Sequence, residues 1–158
     1  SHTEEVPSFL PDRFEPGTPN IPGILGLHAA LCDLEQTDMD KLHQHELELT
    51  QYFINGLMQM DPSESTLRAI GKHNTIERTS VVSVQTLQTD MARVAYEMDD
   101  TYGIMTRVGL HCAPSAHKTL GTYPEGTIRF SFGPENTHHE VDLALHALAE
   151  ITGSPYHL

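Results

Sequence analysis

The hydrophobic period of this chain changes at Asp61-Pro62, and no other feature restricts its fold as much. Before that point Leu42, Leu49, Phe53, Leu57 and Met60 recur at helical spacing, which predicts one long helix that Thr37 or Asp38 can cap and that Asp61-Pro62 stops. Beyond it come short β-branched runs, Ser65 to Ile70 and Thr79 to Thr86, suited to a pleated surface. A length of 158 residues is enough for one core and too little for two ordinary ones, so helices and strands must share it.

The rest of the pattern fills in that core. Ile24, Leu27, Leu31 and Leu34 predict a helix from Gly23 to about Glu35 with Pro22 at its entrance. Thr89 is placed to cap a helix through Met91, Val94, Ala95 and Met98 that ends at Tyr102-Gly103. Ile104 to Val108 and Thr127 to Phe132 read as strands, separated by a loop rich in Gly, Pro and His. Thr137 and Glu140 form a capping box ahead of Val141, Leu145, Leu148 and Ile151, with Gly153 closing that helix. The order ααββαββα predicts an α+β fold, a small, mostly antiparallel sheet covered by helices. Pro7, Pro11, Pro16, Pro19 and Pro22 predict an extended arm over residues 1–22, leaving 23–158 as the folded domain.

Charge removes some partners. With Lys+Arg 9 against Asp+Glu 22 the net charge is −13, which repels a phosphate backbone, so nucleic acid is not an expected partner. The apolar stretch Ile21 to Leu31 is short and broken by Pro22, Gly23, Gly26 and His28, so no membrane span is expected. The acidic opening Ser1 to Glu5 is the reverse of a secretory signal, and the two cysteines, Cys32 and Cys112, form no CxxC pair. A cytoplasmic location follows as the expectation.

Chemistry concentrates in Thr106-Arg107-Val108-Gly109-Leu110-His111-Cys112-Ala113-Pro114, where a strand runs into a loop. Cys112 sits beside His111 and near Arg107, groups able to favour the nucleophilic thiolate; the competing reading is a small buried hydrophobe. Cys32 lies on the first helix, where packing beside Leu31 explains it. In the strand around Arg129, Ile128, Phe130 and Phe132 share one face while Arg129 turns the other way with Thr127 and Ser131. Its guanidinium there is either a bidentate carboxylate grip or an exposed strand arginine. His43 with His45 and His138 with His139 lack ligand spacing, so no metal site is expected. Arg13 to Asn20 sets Gly17 and the Thr18 hydroxyl just ahead of a helix start, an arrangement that can hold phosphate.

Four ordered segments, Arg13 to Asn20, Pro22 to Leu31, Arg107 to Ala113, and Arg129 with Asn136-Thr137 and Glu140, resemble the C-terminal part of class V aminotransferase-like enzymes, specifically the cysteine desulfurases. The resemblance implies the small domain of a fold-type I enzyme dependent on pyridoxal 5'-phosphate. It implies that Cys112 attacks the sulfur of a cofactor-bound cysteine, leaving alanine and a persulfide. Arg129 would hold the substrate carboxylate, with Arg107 and His111 shaping the pocket. Gly17 and Thr18 would bind the cofactor phosphate of the neighbouring subunit in a homodimer. A sulfur-acceptor protein is a further implied partner.

The departures matter equally. The family carries its cofactor lysine in a large N-terminal domain that this chain does not include; Ser115-Ala116-His117-Lys118 imitates that motif but follows the cysteine loop, so Lys118 is not expected to carry the cofactor. Alone, the chain is expected to be inactive. Selenocysteine lysis, C–S lysis or transamination within the family, and a non-catalytic dimerisation or binding module outside it, are the alternatives.

Overall fold

The computed structural model describes residues 5–15 and 17–156, so residues 1–4 and Pro16 of the expected arm, and the last two positions, lie outside the described residues. The elements are α1 (Ile21–Gln36), α2 (Met39–Met60), β1 (Leu67–Ala69), β2 (Val81–Thr86), α3 (Met91–Tyr102), β3 (Arg107–Gly109), α4 (Pro114–Leu120), β4 (Thr127–Ser131) and α5 (His138–Thr152). They fall into two compact units, residues 1–39 and 40–158.

The first unit holds α1. The Asn20 side chain caps it by accepting from Gly23 N–H at 3.2 Å, and Pro22 sits in the first turn, where its missing N–H leaves no bond unmade. The apolar stripe forms at the expected spacing but is not covered: Ile24, Leu27, Leu31 and Leu34 are all exposed, and no residue of α1 is buried. Core packing therefore does not account for Cys32, whose half-buried sulfur lies 3.7 Å from His28 Nδ1. The segment before α1 is not extended throughout. Arg13 N–H donates to Phe9 O at 3.0 Å and Phe14 N–H to Pro11 O at 2.9 Å, a turn that the fixed φ of Pro11 tolerates.

In the second unit, four antiparallel strands run in the order β1-β2-β4-β3. The register puts Leu67, Ala69, Val82, Val84, Ile128 and Phe130 on one face, and all six are buried. Against that face pack Leu49, Phe53, Ile54 and Leu57 of α2, Val94 and Met98 of α3, and Val141, Leu145 and Leu148 of α5. Phe53 lies 4.8 Å from the Phe130 ring and 5.3 Å from Phe132. Burying each large apolar side chain stabilises by roughly 1.5–3 kcal/mol, so these helices hold the sheet in place. At Gly56 a Cβ would come 2.3 Å from Leu145 Cδ1, so the glycine lets α2 and α5 approach closely.

Two local details differ from what the sequence predicts. The cap of α3 is Asp90, which accepts from Arg93 N–H at 2.8 Å, rather than Thr89, whose carbonyl instead receives the Thr86 hydroxyl at 2.6 Å. The loop after β3 contains α4, with Pro114 in its first turn and Gly121 in the left-handed conformation at its end. Seven residues are too few for an apolar period to register. Asp61 does end α2, and its carboxylate then organises the next turn by accepting from Ser63 Oγ at 2.8 Å and from the amides of Thr66 and Leu67 at 2.5 and 3.0 Å.

Candidate active site

The sheet face opposite the core carries Arg68, Ser83, Gln85, Arg107, Thr127 and Arg129, as the pairing register requires. Two glycines shape its edge. Gly109 and Gly126 have φ of 109° and 83°, and a Cβ on Gly126 would stand 2.3 Å from Gly109 O. Only glycine allows the backbones at the end of β3 and the start of β4 to approach so closely.

From Gly109 the chain enters the turn Leu110-His111-Cys112-Ala113, closed by Ala113 N–H to Leu110 O at 2.8 Å. His111 and Cys112 have φ of 49° and 59°, the left-handed pattern of a type I′ turn that glycine, asparagine and aspartate favour. Holding such residues there costs on the order of 1–3 kcal/mol each and persists only where the surroundings fix it. The turn leaves Cys112 exposed, so the buried-hydrophobe reading of that residue does not hold.

His111 ties the turn to the polar face. Its Nε2 lies 3.2 Å from Thr127 Oγ1, and Thr127 shares its face with Arg129 two residues on. Burial, followed by the charges of Arg129, His117 and Arg107, pushes the His111 pKa below its ordinary value, favouring the uncharged ring. The His117 ring lies 5.8 Å from it and is itself buried, with Nδ1 2.7 Å from the wholly buried Thr122 hydroxyl. Sequence reasoning gives His117 and Thr122 no site role; their signal, a histidine and a threonine five apart across a short helix, is visible only once α4 exists.

Arg129 pairs with Ser83 on one side and Arg107 on the other. It is half-buried, and its Nε is buried without a hydrogen-bond partner. A guanidinium held this way can take a planar anion through its remaining donors, and an anion would offset the Arg107–Arg129 repulsion. The structure thus brings Arg107, His111 and Arg129 to one side of the sheet, with Cys112 next to His111 in the exposed turn. Gly17 and Thr18 belong to the other unit, where both are exposed and a Cβ on Gly17 would meet nothing within 4 Å.

Other sequence candidates have structural roles. The Lys118 ammonium lies 5.0 Å from the Tyr123 ring centroid on exposed α4, without a buried cradle. His45 Nε2 meets Asn136 O at 2.9 Å, and His138 packs edge-on against Tyr52. Among the described residues no group of three or more His, Cys, Asp or Glu side chains could hold a metal ion, and no helix is long and apolar enough to cross a membrane.

Comparison with known proteins bears on the family and the fold. The aminotransferase class-V family profile matches residues 3–144. A probable cysteine desulfurase of Pyrococcus abyssi is 35% identical over 144 residues, 91% of this chain and 34% of that protein. A probable cysteine desulfurase of Borreliella burgdorferi is 32% identical over 135 residues, 85% of this chain and 31% of the relative. The apo cysteine desulfurase of Thermococcus onnurineus superposes with a TM-score of 0.77 at 33% identity, over 90% of this chain and 34% of that one. The chain thus spans about a third of the length of these relatives. It belongs to the class V aminotransferase family.

Proposed function

We propose that this chain is the C-terminal part of a cysteine desulfurase-like enzyme, converting L-cysteine to L-alanine with the sulfur retained on Cys112. The observation that carries the reading is the buried, unpartnered Nε of Arg129 on the face where His111 anchors the Cys112 turn. A small amino acid offers the matching pair of groups, a carboxylate for the guanidinium and a side-chain sulfur for the thiol. The whole protein has the architecture of its longer relatives, with a larger N-terminal part that carries the cofactor lysine, residues 1–22 as a connecting arm and two subunits per molecule.

When bound, pyridoxal phosphate supplies the electron sink that weakens the substrate Cβ–S bond. Gly17 and Thr18 are the residues of this chain that would hold its phosphate, from the neighbouring subunit. Arg129 orients the substrate by its carboxylate, with Arg107 adding positive charge to the same pocket. His111, next to Cys112 in the turn and held toward its uncharged form, would be the base that takes the thiol proton. The thiolate forms an S–S bond to the substrate sulfur as the Cβ–S bond breaks, and protonation at Cβ yields alanine. The exposed turn then offers the persulfide to an acceptor protein in a reducing compartment.

The test uses the full-length protein with L-cysteine. Cys112→Ser should abolish persulfide formation and sulfide release while leaving cofactor absorbance in place, and Arg129→Ala should raise KM by about tenfold or more. Sulfide release at the wild-type rate by Cys112→Ser would reject the thiol role. Pyruvate in place of alanine would assign C–S lysis instead.

A further inference from the structure

His117 is the one buried side chain of α4. A buried imidazole is tolerated only with its polar atoms engaged, and here Nδ1 is 2.7 Å from Thr122 Oγ1. Thr122 is bound back to the same residue: its N–H donates to His117 O at 2.9 Å and its hydroxyl reaches that oxygen at 3.4 Å. Thr122 is in turn fixed to the sheet. Its carbonyl accepts Gly126 N–H at 2.7 Å, and Gly126 O accepts from Gln85 Nε2 on β2 at 3.2 Å.

This chain of bonds ends at His117, whose ring neighbours that of His111 in the strained turn. The His117 ring faces His111 at 5.8 Å with a 43° tilt, and His111 immediately precedes Cys112 in left-handed backbone. Three supports hold that conformation: the Ala113–Leu110 bond within the turn, the His111–Thr127 bond to β4, and the His117 ring from α4. The third is backed by the wholly buried Thr122, whereas the first is local to an exposed loop.

We propose that His117, locked by Thr122, is a positioning residue for the Cys112 thiol, holding His111 so that the turn keeps the left-handed backbone that presents the sulfur. This inference rests on the reading of Cys112 as the sulfur-accepting thiol. Loss of the lock lets the turn relax toward negative φ, which redirects the side chain of Cys112 without removing any group that binds substrate.

Amide hydrogen exchange on the full-length protein tests this with Thr122→Val, Thr122→Ser and His117→Phe. The Val variant removes the hydroxyl, Ser retains it, and Phe keeps a ring without the bond to Thr122. In the Val and Phe variants, Ala113 N–H should exchange about tenfold faster while amides at the centre of β2 and β4 keep their rates, and Ser should restore the wild-type value. In the full-length protein the Val variant should lower kcat for alanine formation several-fold with KM unchanged. Equal acceleration at every amide would reduce His117 to a stability role and overturn the inference, as would an unchanged Ala113. If His117→Phe does not fold, the contrast between Val and Ser at position 122 separates the same two outcomes. Retained sulfide release by Cys112→Ser would instead remove the functional reading and leave the exchange result about the turn standing.

Discussion

Arg107 and Arg129 stand directly opposite each other across the β3–β4 ladder, two like charges on one face of the sheet. Such pairs destabilise an antiparallel sheet by roughly 0.2–1 kcal/mol, an effect that salt screens. Arg107→Gln should therefore raise the denaturation midpoint of the chain at low ionic strength, with the gain shrinking as salt is added. An unchanged or lower midpoint at low salt would mean that the repulsion is already relieved within the chain.

The turn that bears the thiol should be improvable at the expense of chemistry. Cys112 has φ of 59° and is exposed, so Cys112→Gly removes the steric penalty without opening a cavity. Stability should rise by about 1 kcal/mol in urea titration, while on the proposed function the full-length variant should form no persulfide. A less stable glycine variant would show that the cysteine side chain makes contacts that outweigh its backbone cost.

Acid should unfold the chain partly through Asp61. Burial raises its pKa, but the amides of Leu67 and Thr66, with Ser63, more than compensate and hold it far below the ordinary carboxylate range. A depressed folded-state value means that this stabilisation is complete above the unfolded pKa near ~4 and is lost as pH falls below it toward the folded value. Asp61→Asn should cost about 1.5–3 kcal/mol at neutral pH and flatten the acid limb of the stability curve, which urea titrations at several pH values would measure.

His111 should titrate below 6.5, its ordinary value, because burial and the charges of Arg129, His117 and Arg107 disfavour the imidazolium. The unfolded chain then binds the proton first, so His111 contributes stability above its unfolded pKa that declines as pH falls through the folded one. Its NMR titration midpoint gives the direction, and Arg129→Gln should move that midpoint upward. A midpoint at or above the ordinary value would place the arginines too far away to act on the ring.

Gly126→Ala should be among the most damaging single-methyl changes in the second unit. The residue has φ of 83° and its Cβ would collide with backbone atoms of Gly109, which cannot rotate away as a side chain could. A loss of about 2 kcal/mol or more is expected, together with faster amide exchange through residues 110–113. Stability within about half a kcal/mol of wild type would contradict the close crossing.

Much of this arrangement is legible in the residues. The period change at Asp61-Pro62, the capping box at Thr137 and Glu140, and the alternation around Arg129 lead to the helices, the antiparallel sheet and its polar face, because each is a local pattern with a local cause. Residue type leaves Cys112 and Arg129 each with a competing structural reading, and it is the family resemblance of their segments that singles them out. What stays hidden is tertiary or short. The α4 helix is too brief to show a period, and the His117–Thr122 lock depends on that helix. The exposure of α1 is equally invisible, because an apolar stripe shows that a helix has a sticky side but not what lies against it.

Arg129 is laddered on both edges of an interior strand, so its backbone cannot shift unless two neighbouring strands shift with it. Cys112 instead hangs from a four-residue turn at the rim of the sheet, closed by one hydrogen bond between Ala113 and Leu110. A change of length in that turn would move the thiol while the guanidinium stayed in register.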